Sequence, residues 1–520
     1  MSIELVFLLI YFLAMLGIGV WVARRSSASR ESFLLGDRQL NAGVTALRLQ
    51  SSSMSGYMFL GAGSLGNTQG YFSMWYALGD MGGGIINLSI LGRRMRKLSH
   101  ILGSLTSIGY LEQRYPSAWT RAVAAPIALV CIFFYVLAQF LAGGRGLEMV
   151  TGLPLAWSLF IAIGVIVGYT FLGGYLAVAY TDFVQAIIMV VGMLWILIAT
   201  LQAVGGFTAG NQGIGALNEN LLTMWGADRQ YFGAWGVILG AVLIFSIGYM
   251  GWPHVVVSHM AMRKPSVARR AGVYSLIFNM AFIPGAYLVG MFALLIVPNL
   301  QDPELAIFEV AAAVLPPFAV GIVMAAIMAA IMSTADALLL QAGTIASYDL
   351  WERFFSKDMS ERASVTVSRL TILGIAVIGF VLAALRPPGV FDIVVFATSV
   401  LGAAFVPSYV CAVWWKKANT VGAVSSMIVG TVAAVGAELG GSGDALGLDP
   451  MVIGIVCSTL AMVVGSLATH QSVPVPQRVQ EAFDETARIA PIPARMLLGE
   501  DTSLATQRPE EPWEEAGQEG

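Results

Sequence analysis

Leu49-Gln50-Ser51-Ser52-Ser53-Met54-Ser55-Gly56-Tyr57 lies in the middle of an apolar span, yet it is rich in hydroxyls and punctuated by glycine. Lipid hydrocarbon cannot solvate exposed backbone. A membrane helix that weakens itself at this point must bury the break in protein or line a wet cavity with it. Interrupted helices of this kind leave carbonyls and amides free near the bilayer midplane, where ions and solutes can be held. The stretch is therefore read as half of a binding site.

The membrane setting follows from composition. Of 520 residues, 57% are hydrophobic and only 11% charged, against about 25% charged in an ordinary soluble domain. The mean hydropathy is +0.76. The fold class expected is all-α, a polytopic membrane protein, with 57 glycines allowing close helix packing. A net charge of −3 argues against nucleic acid as a partner. Cys131, Cys411 and Cys457 all fall in apolar spans and read as buried free thiols. The first span runs into Arg24-Arg25 without a small-residue cleavage site, which marks it as a retained helix.

A ruler of roughly 20 apolar residues per crossing gives about thirteen spans: 3–23, 41–69, 73–92, 119–144, 154–172, 177–204, 231–253, 270–297, 314–346, 365–385, 389–413, 419–439 and 449–469. Basic clusters follow only odd-numbered spans: Arg24-Arg25, Arg93 to Lys97, Arg263 to Arg270, Arg353 to Arg362, and Lys416-Lys417. By the positive-inside rule that side is cytoplasmic, which puts the N-terminus outside and the C-terminus inside a plasma or inner membrane. Beyond His470 the hydrophobicity stops. Ten acidic and four basic residues with scattered prolines predict a largely disordered tail with one short helix near 478–488.

A second interruption stands at Ser246-Ile247-Gly248-Tyr249-Met250-Gly251-Trp252-Pro253-His254. Pro253 removes a backbone donor and clashes with the preceding turn. Spans two and seven are five apart and cross in opposite directions. Broken helices at corresponding places suggest a 5+5 inverted repeat. The division expected is an extra helix and loop (1–40), a first repeat (41–204), a second repeat (205–413), two C-terminal helices (414–470) and the acidic tail (471–520).

Hydroxyls and an acid recur in span nine, Ala330-Ile331-Met332-Ser333-Thr334-Ala335-Asp336. Ser333 and Asp336 share a helix face, and oxygen-only ligands suit a small hard cation. Asp336 marks an ion or proton path or, protonated, makes a helix–helix hydrogen bond. Asp182 is a second intramembrane acid, and the two together would be costly to ionise without a cation between them. Arg48, one turn before the serine run, would pair with an acid, Asp80 of span three among them, or meet a carboxylate solute. Tyr135 and Gln139 share a face of span four, which either lines a solute pocket or packs helices. His100, His254, His259 and His470 form no metal motif and no nucleophile–histidine–acid set, so no enzyme is read here.

These motifs resemble the sodium:solute symporter family, within the group that shares the leucine-transporter fold. The resemblance rests on Thr45-Ala46-Leu47 with Ser53-Met54-Ser55-Gly56, Gly173-Gly174 with Thr181-Asp182 and Gln185, Gly248 to His254, Met332-Ser333-Thr334, and Gly402 to Pro407. It implies a sodium site on the carbonyls of Ser51, Met54 and Ala330 and the hydroxyls of Ser333 and Thr334. It implies a possible second sodium site at Asp182, Ser333 and Asp336. The pocket candidates are Ser55, Gly56, Tyr57, Tyr135, Gln139, Phe245, Tyr249 and Trp252. The local sequence is most similar to sodium/proline symporters, which carry aspartate where this chain has Ser53 and tryptophan where it has Phe245. The function so implied is sodium-coupled import of a small organic solute, proline first, by a lipid-embedded monomer. The alternatives are pantothenate, a short carboxylate, or a sensor or channel on the same fold.

Overall fold

Several loops that precede a helix supply the polar side chain that starts it. Asn41, Thr106, Asn419 and Asp449 each accept a hydrogen bond from the backbone amide two or three residues on, at 2.8 to 3.1 Å, satisfying donors the helix start leaves free. In the computed structural model, which describes residues 3–23, 30–356, 359–387, 389–441 and 446–487, the resulting helices are, in order, α1 (Ile3–Ala23), α2 (Arg30–Leu35), α3 (Ala42–Ser53), α4 (Gly56–Phe59), α5 (Gly61–Gln69), α6 (Met74–Asn87), α7 (Arg93–Ile101), α8 (Ser107–Arg114), α9 (Ala118–Thr151), α10 (Leu155–Ala203), α11 (Phe207–Leu217), α12 (Trp235–Ser246), α13 (Pro253–Met260), α14 (Val267–Ile296), α15 (Ala306–Val314), α16 (Pro317–Thr344), α17 (Glu361–Ala384), α18 (Val390–Trp414), α19 (Thr420–Leu439), α20 (Pro450–Ala468) and α21 (Gln477–Ala487). Only two isolated β-bridges interrupt this all-helical order among the described residues.

Nine helices among the described residues are long and apolar enough to cross a bilayer, and two further apolar helices, Leu155–Phe171 and Trp235–Ser246, are shorter. The expected spans at 41–69 and 73–92 are chains of shorter helical pieces. Thirteen crossings are counted only when these segmented stretches are read as spans as well. α10 contains two of the expected spans, turned at Gly174, whose φ of 61° and ψ of −171° belong to glycine.

α16 occupies the centre. Every residue from Val323 to Ile345 is buried, and α16 packs against α1, α3, α4, α9, α10 and α17. Its surroundings explain why Asp336, Ser333 and Thr334 can sit mid-span: none of them faces lipid.

The basic segments gather at one end of the bundle. Arg38 donates to the Ser104 carbonyl at 2.8 Å and the Met260 carbonyl at 3.1 Å, Arg96 bonds the Met262 carbonyl, and Arg114 bonds the carbonyls of Ala412, Trp415 and Ala418. α21 docks at this same end: Arg478 reaches the Leu102 carbonyl at 3.0 Å, Lys97 the Glu485 carbonyl at 3.1 Å, and Lys416 the Asp484 carboxylate at 2.6 Å. The short tail helix expected near 478–488 is thus present, and Val479, Ala482 and Phe483 are its buried face. Residues 488–520, the remainder of the expected disordered tail, lie outside the described residues.

Candidate functional site

The first break is a change of backbone at two residues. Helix α3 stops at Met54 (φ −84°, ψ 71°), Ser55 is extended, and α4 restarts at Gly56. The Ser55 hydroxyl caps the restart by accepting from the Tyr57 amide at 3.2 Å. The hydroxyls of Ser51, Ser52 and Ser53 turn back onto their own helix, to the carbonyls of Arg48 and Leu49, a bond that such residues commonly make.

Carbonyls, not hydroxyls, are therefore what α3 presents at its end. Those of Ser51 and Ser52 face α16. Ser333 Oγ donates to the Ser51 carbonyl at 2.9 Å, and Thr334 Oγ1 lies 3.1 Å from the Ser52 carbonyl and 3.5 Å from that of Ser51. Both hydroxyls also approach the Ala330 carbonyl, at 3.3 and 3.1 Å. All these atoms are oxygens, they are fully buried, and their spacing matches neighbouring ligands of a hard cation held at about 2.3–2.6 Å. The structure thus brings together Ser51, Ala330, Ser333 and Thr334, with Met54 at the point where α3 ends.

The second break is built differently. α12 ends at Ser246, a tight turn covers Gly248–Gly251, and Trp252 is extended (φ −83°, ψ 119°) because Pro253 follows and opens α13. Gly251 passes so close to α18 that an added Cβ would lie 2.5 Å from the Leu401 carbonyl oxygen. The side chains offered here are aromatic. The Trp252 ring lies 4.6 Å from that of Tyr249 and 5.0 Å from that of Tyr135, while Phe245 packs 4.7 Å from Tyr57.

Gln139 of α9 is bonded to the first break. Its Oε1 accepts from the Gly56 amide at 2.9 Å, an amide that the helix restart leaves free. Its Nε2, and Nε1 of Trp252, are buried donors with no acceptor among the described residues. All eight pocket candidates, Ser55, Gly56, Tyr57, Tyr135, Gln139, Phe245, Tyr249 and Trp252, surround the two breaks and are buried. Of the two readings of the Tyr135–Gln139 face, the Gln139–Gly56 bond puts it against a break rather than in ordinary helix packing.

The intramembrane charges sort in a way the sequence did not reveal. Arg48 does not pair with Asp80. Its Nε lies 3.8 Å from Asp182 Oδ2, its guanidinium stacks 4.2 Å over the Tyr175 ring, and it donates to Ser258 Oγ. α10, not α6, is the element that crosses beside α3 at Arg48, so distance decides the partner. The Asp182 carboxylate accepts no hydrogen bond among the described residues, and Asp336 is its electrostatic neighbour. Arg48 thus touches one carboxyl, that of Asp182, and the second, Asp336, is within electrostatic range of both. Asp80 is held instead by Tyr57, Tyr249 and Tyr287. Tyr287, in span eight, carries no sequence signal that would single it out from other membrane tyrosines.

Comparison with known proteins agrees with this geometry. The family model described as "Sodium:solute symporter family" matches residues 33–430. The osmoregulated proline transporter OpuE of Bacillus subtilis (strain 168) is 31% identical, the match covering 91% of this chain and 96% of that protein. The high-affinity proline transporter PutP of the same organism is 29% identical over 88% and 96%. Among solved structures, a Na+-coupled sialic acid symporter in a substrate-bound outward-open state superposes with a TM-score of 0.74 at 18% identity, covering 90% of this chain and 98% of that one. Mhp1, a nucleobase-cation-symport-1 family transporter, superposes at 0.57 and 15% identity, over 88% and 100%. The shared fold, the paired breaks and the match across most of the length together make this chain a member of the sodium:solute symporter family.

Proposed function

We propose that this protein imports L-proline with sodium by alternating access. The observation that carries the reading is the junction of α16 with the first break, where the Ser333 and Thr334 hydroxyls meet the carbonyls of Ser51 and Ser52 at 2.9 and 3.1 Å. Sodium is taken there by the carbonyls of Ser51, Met54 and Ala330 and the two hydroxyls. An ion bridging α3 and α16 holds the broken helix against its neighbour and orders the pocket beside it. Coupling of this kind is reciprocal: solute raises sodium affinity by the factor by which sodium raises solute affinity.

The solute lies between the breaks. The unpaired donors on Gln139 and Trp252 suit its carboxylate, and the rings of Tyr135, Phe245 and Tyr249 suit an apolar body. A second sodium is held at Asp182 and Asp336 with Ser333, where one arginine serves two acids and leaves room for one more positive charge. The spans form two inverted repeats, 41–204 and 205–413, in a monomer embedded in lipid. The basic end faces the cytoplasm, with the N-terminus outside and α21 inside.

The test is uptake of radiolabelled L-proline into proteoliposomes with and without an inward sodium gradient. Accumulation that follows the gradient is the expected result. Accumulation of pantothenate or a short carboxylate in place of proline would replace the solute, and accumulation indifferent to sodium would reject the coupling. No accumulation of any of them would favour a sensor or channel.

A further inference from the structure

Asp80 is a fully buried acid in the middle of α6, where an ionisable side chain is expensive and seldom idle. Its Oδ1 accepts from the Tyr249 hydroxyl at 2.7 Å, and its Oδ2 lies 3.2 Å from the Tyr287 hydroxyl and 3.3 Å from that of Tyr57. The Tyr57 and Tyr287 hydroxyls lie 2.5 Å apart, so one donates to the other and the remaining proton of the pair goes to Oδ2. Asn279 fixes the backbone by donating to the Asp80 carbonyl at 2.9 Å. Three elements therefore converge on this residue of α6, two of them being the segments that follow or form the breaks.

No lysine, arginine or histidine forms an ion pair with Asp80 among the described residues; Arg48, the intramembrane cation of α3, is engaged with Asp182. A carboxylate offers about four acceptor positions; Tyr249 takes one on Oδ1, and the Tyr57 and Tyr287 hydroxyls together enclose Oδ2. The one left over is on Oδ1, beside Tyr249. Around it stand aromatic rings: Phe245 lies 5.8 Å from Tyr249, 4.7 Å from Tyr57 and 6.2 Å from Tyr76. Aromatic faces attract cations, most strongly where water is excluded.

We propose that Asp80, with the rings of Tyr57, Phe245 and Tyr249, receives a positively charged nitrogen of the transported solute. This rests on the reading that a small organic solute is carried between the breaks, and it narrows the class. One spare acceptor with aromatic walls suits a nitrogen with few protons and much carbon around it, a secondary ammonium, better than a primary one with three donors to satisfy. The donors of Gln139 and Trp252 take the opposite, anionic end. Tyr249 spans the two subsites, its hydroxyl on Asp80 and its ring on Trp252, so both charges of a small zwitterion fall within its reach.

The test compares two probes of nearly equal shape on the full-length protein in proteoliposomes: L-proline, and tetrahydrofuran-2-carboxylate, which has oxygen in place of the ring nitrogen. Each competes with radiolabelled proline in sodium, and each is tested for thermal stabilisation of the purified protein. In Asp80→Asn the affinity for proline falls about thirty-fold, as when one partner of a buried charge pair is truncated, while that for the ether analogue changes less than about three-fold. A merely structural aspartate would weaken both probes together, and that result overturns the proposal, as does unaltered discrimination. Should Asp80→Asn fail to fold, Tyr287→Phe keeps the ring and removes one of the two hydroxyls that enclose Oδ2. The ratio of the two affinities is then expected to move by at least about three-fold, and a constant ratio overturns the proposal. Wild-type protein that neither carries proline in sodium nor is stabilised by it rejects the proposed function and this assignment together. Wild-type protein that handles proline while Asp80→Asn discriminates as before rejects this assignment alone.

Discussion

The two broken helices interrupt the membrane in corresponding places but with opposite chemistry. At the first, α3 ends without a proline, its serine hydroxyls fold back onto the helix, and backbone oxygens meet further oxygens on α16. At the second, Pro253 forces Trp252 out of the helix and the exposed surface is aromatic, with a lone indole donor. A purely oxygen environment selects a small hard cation. An aromatic one with a few placed polar atoms selects an organic molecule. On the proposed assignment, a pair of similar interruptions divides the labour of a symporter, one break for each cargo, while Asp80, within reach of the Tyr57 and Tyr249 hydroxyls, connects them.

The division can be broken most forcefully at the first break. Replacing Ser333 and Thr334 together by Ala removes two oxygen ligands. At about 1.5–3 kcal/mol for each bond to a charged group, the sodium concentration for half-maximal uptake is expected to rise about 100-fold or more, with a smaller change in proline affinity at saturating sodium. An unchanged sodium requirement would separate that junction from the ion.

Next in size is Arg48→Gln, which leaves Asp182 and Asp336 buried with no cationic side chain between them. Breaking a buried pair costs about 3–5 kcal/mol, so thermal or denaturant unfolding is expected to shift by that order, and high sodium to restore part of the loss. Restoration by potassium equal to that by sodium would count against a sodium site there.

At the second break, Gly251→Ala pushes a methyl group to 2.5 Å from the Leu401 carbonyl. Overpacking of this kind costs about 1–3 kcal/mol, and proline uptake is expected to fall more than sodium-dependent stabilisation. Equal loss of both would mean the breaks are not separable. The smallest effect belongs to Trp252→Phe, which retains an aromatic ring but deletes the indole donor. One hydrogen bond to a carboxylate corresponds to about ten-fold in proline affinity, and full affinity would remove Trp252 from the solute site.

Much of this was legible beforehand, for reasons particular to membranes. Lipid tolerates no unpaired backbone, so glycine, proline and serine runs inside apolar spans at 49–57 and 246–254 stand out against a uniform background. The spacing of Ser333, Thr334 and Asp336 places two of them on one helix face whatever the helix packs against. The partners of Arg48 and Asp80 were not legible. Both are rare charges in neighbouring expected spans, and Asp80 is only one of the acids open to Arg48; α10 brings Asp182 to Arg48, and α14 brings Tyr287 to Asp80. Nor did the tail disclose that α21 would dock on the basic end through Arg478 and through Lys97 and Lys416 of its neighbours.

By itself the sequence determined the solvent, the all-helical class, the positions of the interruptions and the types of atom available there, because each depends on local hydropathy and on backbone chemistry within a few residues. The tertiary structure alone decided which carbonyl meets which hydroxyl, which acid receives the arginine and which is left to tyrosines. Those outcomes depend on how helices far apart in the chain cross, and a shift of one turn in any crossing would exchange the partners without changing a single residue.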